Sequence, residues 1–241
     1  MARENEIACL SRIKEALEDH TNVEIVHPYS SLGQVKNIFA ITKPNPNVND
    51  FPDFVFPNGG IEHFQVTSSS ENKKNGSSFM EEQSKTEKEI KEHFENEINK
   101  IDFSSNKAPE IHVLQATEKY GNFSYEAFLK SLQRNIIKHV ESLQKSSYLG
   151  KTIIFLMEQR TARMCFERDE FHAVFYLMTQ DKKALRILKE FGKNVNFFVY
   201  CVADSIEIIN TSVIDKLIEE SKEHDNIDGG ILTEISFDFV A

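Results

Sequence analysis

Residues Phe51–Thr67 read FPDFVFPNGGIEHFQVT, two apolar runs separated by Pro57-Asn58-Gly59-Gly60. The flanking Phe, Val and Ile favour extended chain, and Asn58, Gly59 and Gly60 tolerate the positive φ angles of a tight turn. The stretch therefore reads as a β-hairpin, with Asp53 entering its first strand and Glu62 early in its second. Two carboxylates brought together on paired strands suit a hard divalent cation, which takes oxygen donors.

The surrounding chain has 241 residues, enough for one large domain or two small ones. Hydrophobic residues make up 40%, with 19 Phe, so a sizeable core needs no disulfides. A formal net charge of -10 argues against a broadly basic nucleic-acid surface, while leaving room for a local basic groove. Cys9, Cys165 and Cys201 are odd in number, lack metal-ligand spacing and sit in apolar segments, so they read as buried free thiols in a reducing compartment. The charged, helical N-terminus is unlike a signal peptide, and no apolar run is long enough for a membrane span. The expected location is cytoplasmic, with no membrane partner.

Upstream, residues 3–20 form an amphipathic helix with Ile7, Leu10, Ile13 and Leu17 at helical spacing, and Glu4 and Glu6 in its dipole-favoured first turn. Val23–Val26 and Ile38–Thr42 are short β-branched runs around a Pro28/Gly33 loop, and Pro44 and Pro46 lead into the hairpin. Downstream, Ser68–Ser78 is polar and breaker-rich. Residues 79–101 then read as a charged helix with a narrow stripe of Ile90, Phe94, Ile98 and Ile101, compatible with edge packing or a dimer. A loop in that position would also serve as a flap over a substrate.

Ile111–Ala116 reads as a strand. Ser124 then caps a helix whose broad apolar face runs from Phe128 to Leu143, with Lys130, Gln133, Arg134, Lys138 and Lys145 opposite. Lys151–Met157 and Val195–Ala203 read as strands buried on both faces, and Met164–Phe166 as an edge strand. Ala184–Phe191 and Ser212–Glu223 read as helices, and Ile231–Val240 as a half-buried terminal strand. The expectation is a single α/β domain over 1–241, a mixed central sheet flanked by helices, with a charged helical insertion at about 68–109.

Glycine-rich phosphate loops, GxSxG, HExxH and paired CxxC are all absent. What remains is the hairpin as a site for Mg²⁺ or Mn²⁺, with Gln65 or His63 orienting a water. Alternation along a regular strand puts Glu62, Phe64 and Val66 on one face and Ile61, His63 and Gln65 on the other. Either a bulge brings Glu62 and Gln65 to one ion, or His63 and Gln65 form the functional pair, or the site is degenerate. In the plain alternative Asp53 stabilises a turn and Glu62 is exposed.

PDFVF–NGG–IEHFQV resembles the PD-(D/E)xK nuclease superfamily, the restriction-endonuclease-like fold. Pro52-Asp53 matches the PD half-motif, Glu62 supplies the acid, and IEHF is similar to a variant in nuclease-like regions of some helicases. The resemblance implies a core of helix, three-stranded meander, helix and strand, and a Mg²⁺-dependent hydrolase acting on DNA. It implies Asp53 and Glu62 as metal ligands and Glu6 as an accessory acid. This chain departs from the family where the lysine belongs, because Phe64 stands two residues after the acid. Gln65, or a residue of the following helix such as Gln133 or Lys138, would take that role.

Three expectations of function follow. The first is a metal-dependent nuclease with Asp53, Glu62 and Gln65 catalytic, and with nucleic-acid phosphates, DNA favoured, against the basic helix face. The second is a catalytically inactive nuclease-fold module for binding or interaction. The third, a small-molecule enzyme on another α/β fold, has no motif of its own.

Overall fold

A computed structural model describes residues 2–19, 23–47, 50–68, 114–119, 123–159, 163–168, 173–202, 205–224 and 227–235. The charged helix expected over 79–101, and nearly all of the 68–109 insertion, lie outside the described residues.

The principal sheet has seven strands, and three parallel strands form its centre. These are β4 (Gly59–Val66), β6 (Thr152–Gln159) and β9 (Phe197–Val202), which run parallel in that order. Strands buried on both sides carry continuous apolar sequence, and TIIFLM in β6 and FFVYCV in β9 fit that rule. On one flank, β10 (Ser205–Asn210) pairs antiparallel with β9, and β1 (Val23–His27) runs parallel to β10. On the other, β3 (Phe54–Phe56) and β2 (Lys43–Pro44) extend the sheet from β4 by antiparallel pairing.

Helices cover both faces. On one, α1 (Ala2–Asp19) and α2 (Leu32–Ile41) bury Leu10, Ile13, Leu17, Val35 and Phe39 against Ile61, Leu156, Val199 and Ile208. On the other, α3 (Tyr125–Lys145), α4 (Lys182–Phe191) and α5 (Ile214–Glu220) pack on Phe64, Phe155, Met157, Phe198 and Tyr200. Ser124 caps α3 by accepting from Ala127 N at 3.2 Å, and Phe128, Leu132, Ile136, Val140 and Leu143 form its buried stripe. The result is an α/β architecture with a mixed central sheet between two helical layers. A second, four-stranded sheet orders as β5 (Leu114–Lys119), β11 (Asp228–Ile235), β7 (Arg163–Arg168) and β8 (Ala173–Phe175). Among the described residues, no helix is long and apolar enough to cross a membrane.

Several expectations are corrected. Ile38–Thr42 is not extended: Ile38–Ile41 belongs to α2, where Val35 and Phe39 at i,i+4 form a buried helical stripe. Met164–Phe166 lies inside β7, a strand paired on both sides rather than an edge. The second sheet is an addition to the expected single sheet, and β10 was hidden in SIEIIN, where Glu207 interrupts the apolar pattern.

The hairpin turn is also corrected. Among the described residues only Asn194 and Gly150 have positive φ, so Asn58, Gly59 and Gly60 do not serve the turn through left-handed backbone. Gly59 and Gly60 belong to β4, and what they provide is closeness. A Cβ on Gly59 would lie 1.9 Å from the Thr152 carbonyl oxygen of the neighbouring strand, and one on Gly60 would lie 2.1 Å from Pro52 Cγ. Gly59→Ala must therefore push β4 from β6. We expect a loss of about 1–3 kcal/mol, typical of overpacking, read as a lower urea midpoint with an unchanged slope. A neutral result would show that the two strands separate without cost.

Candidate functional site

The geometry of the site follows from β4. Strand alternation turns Phe64 and Val66 toward α3 and Ile61 toward α1, and the adjacent ionisable pair divides the same way. Glu62 and His63 are buried, at 6% and 7% exposure, so each must find partners across its own face.

On the α3 face, Glu62 Oε1 meets His139 Nδ1 at 2.6 Å. The imidazole of His139 is held flat against the Phe64 ring, 4.7 Å between centroids and 10° between planes. Phe64, standing where the resembled family has lysine, thus shelves the imidazole that reaches Glu62. Lys138, the neighbouring residue on α3, is exposed, as are Lys130 and Arg134. Lys130 pairs within the helix to Glu126.

On the α1 face, His63 Nε2 lies 3.2 Å from Glu158 Oε2, and Arg12 donates to Glu158 Oε1 at 3.1 Å. Glu158 shares this face with Cys201, its register partner on β9, and with Gln65, its partner on β4. Cys9, on α1, places its sulfur 3.7 Å from that of Cys201. Glu6, Cys9 and Arg12 recur at every third residue, so one flank of α1 presents all three. Cys9, His63 and Glu158 bring their ligand atoms within 4.8 Å of one another, a group able to hold a metal ion. All three cysteines are buried free thiols.

Asp53 joins the two faces. It sits just before β3, where its backbone N–H donates to Glu62 Oε2 at 3.2 Å and its Oδ2 accepts from the His63 N–H at 2.8 Å. The two expected metal ligands, Asp53 and Glu62, are therefore adjacent and linked by hydrogen bonds. Burial, and then the Glu62 charge, push the Asp53 carboxyl up to about 6, against the opposing pull of the His63 N–H and of the His63 and His139 charges. Glu6, the expected accessory acid, is raised too, first by burial and then by Asp53, which places it within the field of Asp53. Burial disfavours a charged His63, but hydrogen bonds to Cys9 and Glu158 outweigh it and hold the imidazole at about 9. Cys9 is drawn down, chiefly by its hydrogen bond with Cys201 and then by His63, while Cys201 is driven up.

Gln65 is placed differently from the expected water-positioning role. Its residue is exposed on the α1 side of β4, with its carbonyl oxygen accepting from Asn135, while Glu62 faces α3. The bulge needed to bring Gln65 and Glu62 together is not present, since β4 and β6 stay in continuous register from Gly59 to Val66.

Four residues of the site escaped the sequence reading: Cys9, Arg12, His139 and Glu158. Two had a signal. His139 lies among Ile136, Val140 and Leu143 on the apolar face of its helix, and Glu158 extends a fully apolar strand by one charged residue. Two other buried acids serve the fold. Asp181 caps α4 through Lys183 N and Ala184 N and accepts from the Tyr125 and Tyr176 hydroxyls, and Glu207 accepts from Met178 N, Thr179 N and Thr179 Oγ1.

The raised Asp53 carboxyl makes a pH prediction. Its folded value of about 6 exceeds the ordinary 3.8, so the stability it contributes is complete below about 3.8 and is lost as pH rises through 6. Metal-free wild type should therefore lose stability relative to Asp53→Asn across that window. Any loss from His63, raised from 6.5 to about 9, comes at higher pH in both proteins. Urea midpoints at several pH values in chelator check this, and a constant difference from pH 4 to 7 would contradict it. No family model matches the chain, nor does any curated protein or solved structure, so its chemistry is read from these residues themselves.

Proposed function

We propose that the chain is a metal-dependent nuclease-like protein with a restriction-endonuclease-like core, hydrolysing nucleic-acid phosphodiesters at a two-carboxylate site. The observation that carries this reading is the apposition of the half-buried Asp53 and the buried Glu62: the Asp53 N–H donates to the Glu62 carboxylate, and the Asp53 carboxylate accepts from the next residue's N–H, that of His63. The order of elements supports it: helix α1, the β3–β4 hairpin bearing both acids, helix α3, then β6 parallel to β4.

Asp53 and Glu62 fit Mg²⁺ or Mn²⁺. They offer hard oxygen donors, and the Glu62 charge, which after burial is the next cause of the raised Asp53 carboxyl, is what a divalent cation offsets. Bound there, such an ion supplies Lewis acidity and lowers the pKa of a water. Glu6 adds negative charge beside Asp53. His139 fixes the rotamer of Glu62 and stands ready to hold or move a proton at Nδ1, taking the place of the missing lysine. Arg134 and Lys138, exposed on the same helix, offer phosphate contacts that position a strand without reading its sequence. DNA is the favoured substrate.

Incubation of the protein with DNA or RNA and Mg²⁺ or Mn²⁺ tests the proposal. Cleavage should require the metal and fall by roughly a thousandfold or more in Asp53→Asn and Glu62→Gln, matching several kcal/mol of lost transition-state stabilisation. His139→Ala should lower the rate while leaving the metal requirement. Phe64 in the lysine position favours a second reading, a nuclease-fold module that binds without cutting. Metal-dependent nucleic-acid binding with no cleavage under any metal would select it.

A further inference from the structure

The α1 face of β4 holds a second donor set, chemically unlike the first. Cys9 comes from α1, His63 from β4 and Glu158 from β6, so three separate elements converge on one point. Each residue is more than nine-tenths buried, at 2%, 7% and 4% exposure. Sulfur, imidazole nitrogen and carboxylate oxygen together match a borderline-soft ion and are a poor set for Mg²⁺.

We propose that Cys9, His63 and Glu158 form a binding site for Zn²⁺, which staples α1 to the centre of the sheet. The spacing supports this. Zn–N and Zn–O bonds of about 2.0–2.1 Å at the tetrahedral angle put N and O roughly 3.3 Å apart. His63 Nε2 and Glu158 Oε2 stand at 3.2 Å, already at that edge. The sulfur lies within 4.8 Å of both other ligand atoms, and binding would draw it in to the roughly 3.6 Å that a Zn–S bond of about 2.3 Å sets.

The surroundings are those of a metal site. Arg12 bonds Glu158 Oε1 at 3.1 Å and approaches the Cys9 sulfur at 3.8 Å, orienting the carboxylate so that Oε2 points to His63. Cys201 stands 3.7 Å from the Cys9 sulfur and can donate its S–H to a ligating thiolate there. Three protein ligands leave a fourth position for water. Ligation takes Cys9 as the thiolate and His63 with Nε2 deprotonated, so any proton on either atom leaves as the ion replaces their hydrogen bonds. One consequence is positional: fixing Cys9 also fixes Glu6, one turn earlier on the same helix flank, beside Asp53.

This proposal does not rest on the nuclease reading, and its test does not use activity. The reduced, chelator-stripped full chain is titrated with Co²⁺ and followed by thiolate-to-cobalt charge-transfer absorption. One equivalent should produce the band, Zn²⁺ should displace it and Mg²⁺ should not. The band should survive in Asp53→Asn and Glu62→Gln and disappear in the near-isosteric Cys9→Ser. Glu158→Gln should weaken binding by roughly tenfold or more. Zn²⁺ should raise the melting temperature of wild type, Asp53→Asn and Glu62→Gln by several degrees and leave that of Cys9→Ser unchanged. No charge-transfer band in reduced wild type overturns the site, as does a band that persists in Cys9→Ser. The wild-type measurements decide the matter even if a variant fails to fold.

Discussion

Two neighbouring ionisable residues on a strand buried on both faces are the constraint on which the rest depends. Glu62 and His63 sit in β4, sealed by α3 on one side and α1 on the other. A buried charge left without a partner costs several kcal/mol, so each face must present a counter-group at a fixed depth. His139 on α3 and Glu158 on β6 do so, and Asp53 satisfies the region where the faces meet. The positions of a helix, a neighbouring strand and a hairpin are thus tied to one dipeptide. Gly59 and Gly60 permit this by letting β4 close on β6 and on Pro52 at contact distance.

The arrangement separates two kinds of donor by the thickness of a strand. Oxygen ligands collect around Asp53 and Glu62, while sulfur and nitrogen collect with Glu158 on the far side. Ligand softness and geometry decide which ion each would take, and both sets are drawn from the same few residues of backbone. The two proposals therefore concern adjacent chemistry and stand on separate observations.

Much of this was visible in the sequence, for identifiable reasons. The hairpin, the Ser124-capped helix and the two doubly buried strands are local patterns of period and composition, and they fold where their residues indicate. Alternation also read correctly that Glu62 and Gln65 face apart. The errors came from two sources. Ile38–Thr42 is β-branched at both ends, yet packing of Val35 and Phe39 overrides propensity. The glycines of the hairpin were read as turn residues when their service is to remove side chains from a strand–strand approach. Cys9, Arg12, His139 and Glu158 were not assembled because only the folded sheet brings them beside β4. Cys9 and Cys201 are separated by 192 positions and meet at 3.7 Å.

That long separation bears on how the molecule is made. β1 pairs with β10 through Val23 and Ile206, and α1 rests on strands from the middle and last third of the chain. Such non-local contacts demand loop closure before they stabilise anything, which slows folding. During synthesis the first helix emerges with its apolar stripe and its cysteine exposed, and α2 and β4 supply only part of its native surface before β6, β9 and β10 follow. The polar cluster on the α1 face therefore exists only once α1, β4 and β6 have come together.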